Sequence, residues 1–148
     1  MTKVPVRVLI VDDEKDFVEM FALRLQETGE TVFTAYNGRE CLDVLGEENI
    51  DVVILDIKMP GMDGVETLKE IKKRWPIVEV ILLTGHGTIE TAVLGMKLGA
   101  YDYLLKPADP LEISRKLKEA RQRKQEQEDR IREAEQKTLM RKGQNNGS

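Results

Sequence analysis

Four short apolar runs in this chain end in side chains suited to chemistry on a phosphate. The β-rich run Ile50-Asp51-Val52-Val53-Ile54-Leu55 ends in Asp56, and Val6-Arg7-Val8-Leu9-Ile10-Val11 ends in Asp12-Asp13. Val78-Glu79-Val80-Ile81-Leu82-Leu83 ends in Thr84, and Tyr101-Asp102-Tyr103-Leu104-Leu105 ends in Lys106-Pro107. Apolar runs of this length between polar flanks predict strands buried on both faces. The carboxyl ends of such strands form the crevice where open α/β sheets bind ligands. Three acids, a hydroxyl and an ammonium are thereby delivered to one place. Clustered carboxylates repel one another and call for a cation, and their hard oxygens favour Mg²⁺. With Mg²⁺ and Lys106 to neutralise charge, Asp56 can attack phosphorus and carry an acyl phosphate, while Thr84 bonds a phosphate oxygen.

The intervening segments must bring those ends together. Lys15 to Thr28 carries Phe17, Met20, Phe21, Leu23 and Leu25 at helical spacing and is stopped by Gly29. Thr31 to Ala35 reads as a strand, and Asn37 caps a helix running to about Leu45. Asp63 caps a helix with Val65, Leu68 and Ile71 inward, which ends at Trp75-Pro76. Thr88 to Leu98 is helical up to Gly99, and a last helix begins near Asp109. Five strands alternating with five helices imply a doubly wound parallel sheet, with right-handed crossovers and helices on both faces. Periodicity does not reveal the strand order.

The remaining features narrow the function. The chain has 148 residues, a net charge of −4 and 41% hydrophobic residues, enough for one core and against general nucleic-acid binding. Its single cysteine, Cys41, excludes an internal disulfide and suits an inward helix face. No stretch approaches the roughly 20 apolar residues that span a bilayer, and no signal peptide is visible, so a cytoplasmic protein is expected. From about Arg115 the sequence turns to charged helix formers. It offers no apolar side chain between Ala120 and Ile131, which predicts a solvated helix rather than a coiled coil. Gly143 to Ser148 reads as disordered. The division is therefore a domain over 1–120 and a charged helical tail over 121–148.

Four motifs together resemble the receiver domain of bacterial two-component response regulators. They are Leu9-Ile10-Val11-Asp12-Asp13-Glu14, Val53 to Gly64, Leu83-Thr84-Gly85, and Gly99 to Pro107. The resemblance covers roughly residues 5 to 120. It implies a flavodoxin-like fold with strand order 2-1-3-4-5 and makes Asp56 the phosphoacceptor, fed by a sensor histidine kinase or a phosphotransfer protein. Asp13 and Asp56 would ligate Mg²⁺ with the backbone carbonyl of Lys58, and Asp12 would lie beside the metal. Lys106 would contact the phosphate. Thr84 would swing toward it, and Tyr103 would turn inward behind Thr84. The surface of the fourth helix, last strand and last helix would then change. The Lys106-Pro107 peptide is cis in most such domains. Leu83 to Val93 looks like receivers of the nitrogen-regulation class. His86, in a loop between two glycines, reads either as an exposed side chain or as one that meets the mouth of the site and tunes dephosphorylation.

No G-x-x-x-x-G-K-[ST] loop is present, so neither an ATPase output nor a GTPase is expected. A haloacid-dehalogenase phosphatase needs a second acid two residues after the nucleophile, where this chain has Lys58. A flavin phosphate would be repelled by Asp12-Asp13. The expectation is a single-domain response regulator, a phosphoacceptor rather than an enzyme acting on other molecules. Its output is a protein contact, with pairing of phosphorylated copies. The alternatives are an inactive receiver scaffold and the receiver fragment of a larger DNA-binding regulator.

Overall fold

A computed structural model describes residues 4–57, 64–85 and 89–146, with side chains through residue 143. Its strands are β1 (Arg7–Val11), β2 (Thr31–Ala35), β3 (Val52–Asp56), β4 (Glu79–Thr84) and β5 (Asp102–Leu105). Its helices are α1 (Lys15–Glu27), α2 (Gly38–Glu47), α3 (Gly64–Arg74), α4 (Ile89–Lys97) and α5 (Pro110–Asn146). The strands form one parallel sheet in the order β2-β1-β3-β4-β5. This is the flavodoxin-like arrangement, reached by changing winding direction between β2 and β3.

Alternation along the strands sorts the core into two layers. Leu9, Val11, Val53, Leu55, Val80 and Leu82 meet Cys41 and Leu45 of α2 and Leu68 and Ile71 of α3. Val8, Ile10, Val52, Ile54, Ile81 and Leu83 meet Val18, Phe21 and Leu25 of α1 and Ile113 and Leu117 of α5. Every residue of β3 and β4 is buried, including Asp56, Glu79 and Thr84 at the ends of their apolar runs. Burying one such aliphatic side chain contributes about 1.5–3 kcal/mol. Burial also pushes the Cys41 thiol up to about 12, so it remains a protonated, small apolar group.

Local signals fix several helix ends. The Asn37 side chain accepts from the Glu40 N–H at 2.8 Å, and Glu40 accepts from the Tyr36 N–H at 2.8 Å, a reciprocal cap. Gly29 and Gly99 follow α1 and α4 at φ of 95° and 107°, a conformation that L side chains rarely adopt. Asp63, expected to cap α3, lies outside the described residues, as does Thr88. Within α1 the buried positions are Val18, Phe21, Ala22 and Leu25, whereas Met20 and Leu23 are exposed. The apolar residues at helical spacing thus exceed the buried stripe.

Two features of the charged tail differ from expectation. Helix α5 is continuous from Pro110 through Gly143 to Asn146, so that part of the segment expected to be disordered is helical; 147–148 lie outside the described residues. Strong helix formers upstream outweigh a single glycine, which costs about 1 kcal/mol in a helix. Second, Lys124 is buried rather than solvated. Its ammonium lies 3.1 Å from Asp51 Oδ1 and 2.9 Å from Glu128 Oε1. Asp51 Oδ2 accepts from the Arg7 N–H at 2.9 Å, so this lysine ties α5 to the start of β3 and β1. From Ile131 to Gly143 the helix is exposed.

Candidate functional site

The site is built where four strands end. Asp12 directly follows β1, Asp56 closes β3, Thr84 closes β4 and Lys106 directly follows β5. The register places Val11 beside Leu55, Asp56 beside Leu83, and Thr84 beside Leu105. Parallel pairing alone thus brings together residues nearly a hundred positions apart.

Asp12 is fully buried, Asp56 is almost so, and Asp13 is exposed. One carboxylate oxygen from each lies within 4.8 Å of the others. Asp12 is oriented by its Oδ1, which accepts from the Glu14 N–H at 3.0 Å. The Lys106 ammonium donates to Asp12 Oδ2 at 2.6 Å and stands 4.0 Å from Asp56 Oδ2. Burial alone would lower the lysine's pKa, but the Asp12 hydrogen bond and the charges of Asp12, Asp56 and Glu14 outweigh it and raise it. Lys106 is therefore cationic at neutral pH. The Lys106-Pro107 peptide is cis.

Among the described residues the Lys106 ammonium offsets one of the three carboxylates, and the three supply only hard oxygen donors. That donor set fits a hard divalent cation. The Lys58 carbonyl expected to complete it, and His86, lie outside the described residues.

Thr84 is buried at the mouth of this group, with its hydroxyl donating to the Leu104 carbonyl at 3.5 Å and its own carbonyl accepting from the Lys106 N–H at 2.8 Å. Tyr103 is 44% exposed and so stands outward rather than behind Thr84. Two contributors do not stand out in the sequence. Helical spacing marks Phe17 only as an apolar residue, yet its ring lies 4.6 Å from the Lys106 ammonium. Its position, one helical turn past Asp13, is the available signal. Gly64 approaches the end of β3 so closely that a Cβ there would lie 2.5 Å from the Asp56 carbonyl oxygen.

A family model for the response regulator receiver domain matches residues 8–118. The chain belongs to that family. This receiver is 49% identical over 102 residues to an NtrX-like response regulator of Rickettsia bellii, across 68% of this chain and 21% of that protein. A receiver domain protein from Clostridium thermocellum is 40% identical with a TM-score of 0.78, covering 81% of this chain and 97% of that one. NtrX from Brucella abortus, solved in complex with ADP, is 32% identical with a TM-score of 0.80. That match covers 85% of this chain and 29% of the NtrX chain. The receiver thus spans 21% of the length of the Rickettsia relative. Among its described residues no helix is long and apolar enough to cross a membrane.

Proposed function

We propose that this receiver accepts a phosphoryl group onto Asp56 from a phosphohistidine of a sensor kinase or phosphotransfer protein. The observation that carries the reading is the placement of Lys106, 2.6 Å from Asp12 and 4.0 Å from Asp56 within the three-carboxylate group. An Asp56 oxygen attacks phosphorus as the N–P bond breaks; the electron pair returns to the imidazole, and an acyl phosphate forms. Lys106 balances the negative charge on the transferring oxygens, and near-complete burial of Asp12 and Asp56 strengthens that attraction. Bound Mg²⁺, held by Asp13 and Asp56 with Asp12 alongside, would supply the positive charge that lets an anion enter an acidic cleft.

Incubation with acetyl phosphate and Mg²⁺ should add one phosphoryl group by intact mass. The adduct should be absent in Asp56→Asn. An adduct on the variant would move the acceptor elsewhere, and none on the native chain would reduce the domain to a scaffold.

The output surface is read from exposed apolar side chains on three neighbouring elements: Ile89 and Val93 of α4, Tyr103 and Leu105 of β5, and Leu111 of α5. Thr84 moving toward the phosphoryl group would leave space for Tyr103 to turn inward and reshape this face. Tyr103→Ala should then keep the Mg²⁺-dependent adduct but abolish the difference in partner or self-association between the two phosphorylation states. A preserved difference, read by sedimentation with and without acyl phosphate, would remove Tyr103 from the switch.

A second reading has specific support. The Rickettsia relative and the Brucella NtrX are several times longer than the matched region, and α5 continues beyond the globular part. On that reading the chain is the receiver of a larger regulator and acts through α5, instead of serving as a complete single-domain regulator.

A further inference from the structure

The Lys106 ammonium has a third neighbour besides the two carboxylates. It lies over the Phe17 ring, 4.6 Å from the centroid, within the range of a cation–π contact. Phe17 is half-buried and stacks on Phe21 with centroids 5.3 Å apart and planes 20° from parallel. Its ring is therefore held by the α1 core layer and is not free to follow the lysine.

We propose that Phe17 is a positioning residue for phosphoryl transfer, its ring face keeping the Lys106 ammonium between Asp12 and Asp56. The proposal rests on Asp56 being the phosphoacceptor. A lysine head on a four-carbon stem has many rotamers, and a 2.6 Å bond to Asp12 is a strong competing partner. Transfer requires that the ammonium exchange Asp12 for a phosphoryl oxygen without swinging into solvent. An aromatic face meets this requirement because it attracts the cation along the path, yet has no acceptor atom that would capture one of its donors. Another carboxylate would capture the ammonium, and an aliphatic side chain would supply packing without attraction.

The test uses the full chain and four variants: Phe17→Leu, Phe17→Tyr, Lys106→Met and the Phe17→Leu/Lys106→Met double variant. Phosphorylation by acetyl phosphate with Mg²⁺ is followed by intact mass. Phe17→Leu should lower the rate at saturating donor by about three- to thirtyfold, the span of a partly buried cation–π contact. The donor concentration for half-saturation should change little, and Phe17→Tyr should restore the rate. In the Lys106→Met background Phe17→Leu should cost nothing further. In unphosphorylated protein, NMR should find the Lys106 ε-methylene protons shifted upfield by the ring in the native chain and the Tyr variant, but not in the Leu variant. Equal rates for the native chain and Phe17→Leu would overturn the proposal. So would a loss that persists undiminished without the ammonium, since that marks a packing role. If the native chain takes up no phosphoryl group at all, the assignment of Asp56 fails, and the positioning role falls with it even where the ring shift is observed.

Discussion

Lys106→Met should slow phosphorylation of Asp56 by about two to three orders of magnitude, the usual consequence of removing a preorganised charge from a transferring group. Methionine keeps most of the stem and its apolar contact, so the change isolates the ammonium. Two effects add. The transferring oxygens lose a counter-charge, and fully buried Asp12 loses the partner 2.6 Å away. Lys106→Arg should recover part of the rate at most, because a planar guanidinium does not occupy the place of a compact ammonium. An intact-mass time course at fixed acetyl phosphate and Mg²⁺ reads the outcome, and an unchanged rate in Lys106→Met would remove the lysine from the transfer step. The sign of the pH dependence follows from the raised lysine pKa. The ion pair's contribution to stability is fully present below the ordinary lysine pKa and is lost only as pH rises through the elevated one. Neutral and mildly alkaline conditions should therefore leave this ion pair intact.

Gly64→Ala should cost about 3 kcal/mol of stability, at the upper end of the overpacking range, and should also impair phosphoryl acceptance. A Cβ at this position would lie 2.5 Å from the Asp56 carbonyl oxygen, 2.5 Å from Ile57 Cα and 2.6 Å from the Ile57 oxygen. All three are backbone atoms at the end of β3, and the Gly64 N–H donates to the Ile57 carbonyl at 3.0 Å. Relief requires separating α3 from the strand that carries Asp56. Gly95→Ala is the useful contrast. Its Cβ would meet Leu82 Cδ1 at 2.2 Å, the far end of a side chain rather than backbone. The glycine in α3 should thus be the costlier of the two. Urea unfolding of both variants, paired with the adduct assay, separates them; equal and small losses would show that α3 yields easily.

The sheet is readable from sequence because it is buried on both faces. Continuous apolar runs have few alternative placements, and each ends in a polar residue that marks its carboxyl end. The acids, Thr84 and Lys106 can therefore be found together without any knowledge of pairing. Strand order is a different matter: both core layers are filled by the same aliphatic types, so order comes from the family resemblance, which the β2-β1-β3-β4-β5 sheet matches. Residues whose importance depends on one close approach leave no such mark. Phe17 carries no chemical group that distinguishes it from Phe21, and Gly64 acts through the side chain it lacks. Lys124 is hidden among other charges, because its burial depends on Asp51 more than seventy positions earlier. Charge runs report composition, whereas burial depends on what the folded chain places beside each charge.

Helix α5 is 37 residues long, about 55 Å at 1.5 Å per residue. It begins four residues past the site lysine and is tied at Lys124 to the opposite end of the sheet. The stretch beyond that tie is a cantilever of roughly 33 Å at the same rise. A tilt of about 10° at its root would carry position 146 about 6 Å, given that length. A rearrangement too small to disturb the packing around Asp56 would thereby become a displacement comparable to a full helical pitch at the last turn of α5.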